Sequence, residues 1–182
     1  MHKDISGKTQ LIFDFDDTIG KLQIDWRGWH VGVSEIFRSF DPTFKEERVH
    51  MHQNRFFRKY GKECKDKVSA FAAQYERDHV TGFAVDEDVL KIIREAINCK
   101  LYVWSSNTKK TVEEQLKKLN VFHMFDKIIT SDDVFYIKPD PEGFSLVADS
   151  TPLNRYVFFG DSACDKEAAA NVGIDYIDVK DL

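Results

Sequence analysis

The stretch Leu11-Ile12-Phe13-Asp14-Phe15-Asp16-Asp17-Thr18 decides how the rest of the chain is read. An apolar run leads straight into three carboxylates and a hydroxyl, as when a strand buried on both faces ends in a polar loop. The strand is expected over residues 10–15. In a doubly wound sheet, ligands bind just beyond the carboxyl ends of the strands. An Asp-rich turn would give a similar pattern, but three carboxylates within four residues repel one another unless a cation or strong donors stand among them. Side chains alternate along an extended chain, so Asp14 and Asp16 fall on one side and can address one ligand.

Outward from this segment, short apolar runs at 101–105, 127–130, 156–160 and 174–179 predict four more strands. Amphipathic stretches separate them. Val89, Ile92, Ile93, Ala96 and Ile97 share a helical face behind Asp86 as N-cap, and Val112, Leu116 and Leu119 share another behind Thr108. Pro141 suits a first helical position, and Gly173 a helix stop. Strands alternating with helices predict an α/β fold, a doubly wound Rossmann-like parallel sheet. Residues 20–83 break the rhythm. Three helical patterns occur there, on Trp29/Val33/Ile36/Phe37/Phe40, on Val49/Phe56/Tyr60 and on Val68/Phe71/Ala72/Tyr75, with no strand among them. The expected division is a core of residues 1–19 and 84–182 with a helical cap, 20–83, inserted after the first strand. From Lys21 to Phe83 there are 12 basic and 9 acidic side chains, whereas the whole chain has 26 and 31, so an anionic ligand would favour the insertion's side.

Each remaining strand end carries polar residues whose separate readings are ordinary. Ser105 and Ser106 follow the second core strand, where hydroxyls and backbone N–H groups hold phosphate oxygens or cap a helix. Lys138, before Pro139, is either a surface charge or the counterion of the acidic cluster. Asp161 and Asp165 follow the Gly160 turn, where acids serve as turn and cap residues. Coincidence at every strand end is the less economical reading.

The ordered set Asp14-x-Asp16-x-Thr18, Ser105, Lys138-Pro139 and Gly160-Asp161-Ser162…Asp165 resembles the haloacid dehalogenase-like hydrolase superfamily, whose members are mostly phosphatases. The insertion is similar to the caps of members related to phosphoglycolate phosphatase and β-phosphoglucomutase. The resemblance implies that Asp14 attacks phosphorus to form an aspartyl phosphate, and that Asp16 protonates the leaving alcohol and then deprotonates water. It implies Mg²⁺ held by the carboxylates of Asp14 and Asp161 and the backbone carbonyl of Asp16, with Asp165 in support. Ser105 and Lys138 would bind the phosphoryl group. Thr18 would order the loop beside it, and Ser106 would offer its N–H or stand in for Ser105. Oxygen donors suit Mg²⁺, and positive charge counters the anionic ester where charge gathers in the transition state.

The implied activity is hydrolysis of a small phosphorylated metabolite. A phosphomutase on the same site is one alternative, and a non-enzymatic phospho-switch resembling response-regulator receivers is another, although such a switch has no use for Asp16. The 182 residues, 42% hydrophobic, suffice for one domain with a modest insertion. The net charge of −5 speaks against a nucleic-acid partner, and no apolar run approaches the roughly 20 residues of a membrane span. Three scattered cysteines, without a CxxC pair, fit reduced thiols, and the first ten residues lack a signal-peptide pattern, so a cytoplasmic monomer or weak homodimer is expected. His50 and His52 diverge on a helix and are read as packing residues or as partly exposed surface positions rather than a metal pair. Trp26 and Trp29 line a substrate pocket or fill the insertion's core. Arg48, Arg55 and Arg58 either read a second anionic group or form a solvated face. Cys164 is read as a small filler.

Overall fold

The computed structural model describes residues 5–45 and 49–182. Arg48 therefore lies outside the described residues, as do residues 1–4 of the amino-terminal reading. Five strands, β1 (Gln10–Phe13), β4 (Lys100–Trp104), β5 (Lys127–Ile129), β6 (Tyr156–Gly160) and β7 (Asp175–Asp178), form one parallel sheet in the order β5-β4-β1-β6-β7. The chain builds outward from β1 on one side and then crosses to the other, so the switch point falls where β1 ends. Apolar residues alternate across both faces. Leu11, Phe13, Val103 and Phe159 pack with α3 (Glu87–Glu95) and α4 (Lys109–Lys118), while Ile12, Trp104 and Phe158 pack with α5 (Glu142–Val147) and α6 (Ala163–Val172). The sheet is thus covered on both sides, as the near-continuous apolar runs predict.

Between β1 and α3, a second sheet pairs β2 (Gly20–Gln23) antiparallel with β3 (Gly82–Val85). The expectation of no strand in the insertion is therefore corrected. β2 buries only Gly20 and Leu22, alternating with Lys21 and Gln23, so it lacks the apolar run by which the core strands were recognised. Between these strands lie α1 (Trp26–Phe40) and α2 (Gln53–His79). Gly61, at φ 67° and ψ −154°, interrupts α2. The second and third helical patterns are thus two runs on either side of one glycine, in a conformation that disfavours other residues. Val49 precedes them in a short 3₁₀ turn. Their apolar faces and α1 enclose a third cluster built on Trp29, Val33, Phe37, Phe56 and Val68.

Helix ends follow the sequence in part. Asp86 caps α3 through the N–H groups of Asp88 and Val89, and Gly173 closes α6 at φ 75°. Ile97 lies beyond the end of α3 and is 79% exposed. Pro141 stands just before α5 rather than within it. Thr108 precedes α4, but its hydroxyl donates to Glu76 of α2 at 2.6 Å instead of capping its own helix.

Candidate active site

Asp14 follows β1 directly, and its N–H donates to the Phe159 carbonyl at 2.9 Å, extending the β1–β6 ladder by one residue. Its side chain meets Lys138, whose Nζ lies 2.5 Å from Asp14 Oδ1 and 2.5 Å from Asp165 Oδ1. Lys138 is 6% exposed and Asp165 fully buried. The second oxygen of Asp165 accepts the Ser162 hydroxyl at 2.6 Å and the Ser162 N–H at 3.2 Å, while the Asp165 N–H donates back to Ser162 Oγ. This reciprocal capping box starts α6 and aims one carboxylate oxygen at Lys138. Gly160 permits the approach, because a Cβ there would stand 2.5 Å from that of Asp165.

Two buried carboxylates thus share one ammonium group. Burial, reinforced by Asp165, pushes Asp14 up to about 7 against the opposing pull of Lys138. Burial alone would lower Lys138, but Asp14 and Asp165 overcome it and hold the ammonium above its ordinary range. Asp161 joins the cluster, its carboxyl also raised by burial although Lys180 reaches it at 3.2 Å. One oxygen from each of Asp14, Asp161 and Asp165 falls within 4.8 Å of the others. This all-oxygen, net-negative set fits a hard divalent cation. Both oxygens of Asp165 already have partners, whereas Lys138 engages only Oδ1 of Asp14 and Lys180 only Oδ2 of Asp161.

Asp16 stands across the same cavity. Its Oδ1 accepts the Leu22 N–H at 2.7 Å, yet burial raises its pKa to about 6. Asp17, at φ 57°, makes the turn and pairs with Lys21 at 2.9 Å. The two serines part company. Ser105 is buried, donating through Oγ to Asn107 Oδ1 at 3.0 Å and accepting the Asn107 N–H at 3.1 Å, whereas Ser106 is exposed and lines the cavity beside Asn107. Thr18 is fully buried, its hydroxyl without a partner, and does not line the cavity. The cavity, about 350 Å³, brings together Asp14, Asp16, Ser106, Lys138, Asp161 and Asp165.

The insertion supplies the opposite wall, including both Trp26 and Trp29. It also supplies His30, His50, Gln53 and Glu76, which sequence reasoning did not assign to the site. Glu76 had a signal: it continues the i+4 series Val68, Ala72, so an acid sits on an apolar helix face. His52 instead packs against Phe44. Arg58 pairs with Asp140 at 2.7 Å and lies over Tyr136, and Arg55 lies over Phe56, so neither lines the cavity. Burial pushes the Cys164 thiol up to about 12, which suits a filler rather than a nucleophile.

A sequence model of the family described as haloacid dehalogenase-like hydrolase matches residues 11–179. The chain is 26% identical over 187 residues to the pyrophosphatase PpaX of Listeria monocytogenes, covering 92% of this chain and 81% of that one. It is 31% identical over 126 residues to a phosphorylated carbohydrates phosphatase of Thermotoga maritima, covering 63% of this chain and 57% of that protein. In three dimensions it is similar to a haloacid dehalogenase-like hydrolase of Bacteroides fragilis, with a TM-score of 0.65 at 20% identity over 93% of this chain and 86% of the other. No described helix is long and apolar enough to cross a membrane.

Proposed function

Because the chain belongs to the haloacid dehalogenase-like hydrolase family, we propose that it is a Mg²⁺-dependent phosphatase that hydrolyses a small phosphorylated metabolite through an aspartyl phosphate on Asp14. The observation that carries this reading is the buried Lys138 ammonium 2.5 Å from Asp14, beside Asp161, where the parallel sheet switches direction. The relatives named as phosphatase and pyrophosphatase support the reaction class. Membership in a hydrolase family leaves the non-enzymatic switch without support.

Asp14 attacks phosphorus with one oxygen while Lys138 holds the other, and the bond from phosphorus to the leaving oxygen breaks. Asp16, with a pKa near 6, delivers its proton to that oxygen and later takes one from the water that attacks the aspartyl phosphate, so one group serves both steps. Asp14 and Asp161, with the Asp16 carbonyl, would hold the cation, which when bound neutralises phosphoryl oxygens and so favours attack by an anion. Ser106 lies on the phosphate side, and Ser105 keeps the turn beneath it in shape. Residues 20–83 form the cap in this reading, hinged on the β2–β3 pair, and exclude bulk water from the acyl phosphate.

The test is steady-state hydrolysis of para-nitrophenyl phosphate with and without Mg²⁺. Asp14→Asn and Asp16→Asn are each expected to lower kcat by at least about 100-fold, the range of a lost nucleophile or general acid. Turnover within a few-fold of wild type in both variants would refute the mechanism.

A further inference from the structure

Four aromatic rings line the insertion's side of the cavity in an unbroken series. Trp26 and Trp29 meet edge to face with centroids 5.9 Å apart, Trp29 and His30 at 5.4 Å, and His30 and His50 at 5.5 Å. Trp29 is 8% exposed, and its indole Nε1 has no hydrogen-bond partner; neither has the buried Nδ1 of His30. Both atoms are shut away from solvent, so these side chains meet the cavity through the rest of their rings. Lys138 is the one Lys or Arg among the described lining residues, and it is already engaged by Asp14 and Asp165. A second phosphate or a carboxylate on the leaving group would therefore meet rings and the Glu76 carboxyl instead of a cation.

We propose that the leaving group is a planar heteroaromatic moiety, as in a nucleoside monophosphate, which lies against the Trp26/Trp29 wall. The proposal rests on the phosphatase reading and names its substrate class. A cavity of about 350 Å³ suits one phosphate and one small ring system. Stacking on aromatic side chains tolerates any base, because every base presents a π-face.

The experiment compares adenosine and uridine 5′-monophosphates with ribose 5-phosphate, the same ester without its ring, and with inorganic pyrophosphate. At least one nucleotide is expected to exceed ribose 5-phosphate and pyrophosphate in kcat/KM by about tenfold or more. That ratio should fall below about threefold in Trp26→Leu and Trp29→Leu, the half-buried Trp26 providing the variant less exposed to misfolding. Binding is read separately by tryptophan fluorescence in Asp14→Asn, where nucleotides but not ribose 5-phosphate should quench emission. Equal kcat/KM for nucleotide and ribose 5-phosphate, or a preference that survives in both tryptophan variants, overturns the proposal and leaves the phosphatase reading standing. Selective quenching with no turnover of any ester by the wild type supports the ring site and defeats the phosphatase reading. Neither selective quenching nor selective turnover defeats the ring site.

Discussion

Lys138 stands 2.5 Å from both Asp14 and Asp165 with almost no access to water, so the two carboxylates rely on the same ammonium group. Lys138→Met keeps most of the side-chain volume but leaves both acids buried without a counterion. Breaking a buried ion pair on one side costs about 3–5 kcal/mol. Urea unfolding near neutral pH should show a loss of that order, narrowing in mild acid as Asp14, already raised by burial, takes up a proton; a loss under about 1 kcal/mol would contradict this charge balance. Asp14 was legible because it directly follows an apolar strand run, Asp165 because it lies just past the Gly160 turn, and Lys138 by its place before Pro139 rather than at a strand end; the structure gathers all three at one cavity. The preference for Ser105 over Ser106 rests on its place directly after the apolar run, whereas adjacent residues there turn to opposite sides and the loop brings Ser106 to the cavity. His30 and Gln53 were not legible, because their place on the wall depends on how α1 and α2 pack over the sheet.

The second helix joins the insertion to the core at several points along its length. Asn54 exchanges two hydrogen bonds with the backbone of Ile137, at 2.7 and 3.0 Å, just before Lys138. Lys65 donates to the Ser131 carbonyl at 2.9 Å, and Glu76 accepts from Thr108. Asn54→Ala leaves a backbone donor and acceptor unmatched beside the site and is expected to cost about 1–3 kcal/mol in urea unfolding, with no change where the insertion docks otherwise. Glu76 makes a pH-dependent link. Burial raises its pKa, so the folded chain binds this proton more tightly than the unfolded one. Its contribution is therefore greatest below the unfolded pKa and is lost as pH climbs through the raised folded value. Glu76→Gln keeps an acceptor for Thr108 and removes the titration. Its stability relative to wild type should improve as pH rises above the ordinary carboxylate range, and an unchanged difference would contradict the assignment. α1 and the three-part periodicity were readable from their apolar faces. β2 and β3 were not, because a four-residue strand that buries only Gly20 and Leu22 gives no run to detect.

At the scale of the whole molecule, alternating runs and amphipathic stretches prescribe the parallel sheet and its two covered faces, because each strand needs apolar partners above and below. The placement of α2 against two core loops, those before α4 and before α5, was beyond that reading, since it depends on polar bonds between distant residues such as Asn54 and Ile137. Mg²⁺ that binds the folded acidic cluster and not the unfolded chain should stabilise the protein, by about 2.7 kcal/mol at one hundred times its Kd. Thermal melts across a Mg²⁺ titration should show a rising Tm in wild type and a much weaker response in Asp161→Asn; equal responses would remove Asp161 from the cation's ligands.

The strand that leads into Asp14 has a neighbour on each side, whereas β5 and β7 are edges. In deuterated solvent, the amides of β1 should exchange only through full opening of the chain, and those of β7 sooner. The atom that would attack phosphorus is thus anchored in the part last to loosen on heating. Catalytic inactivation and loss of tertiary structure should then trace one curve, without an earlier stage in which the enzyme is still folded but already dead.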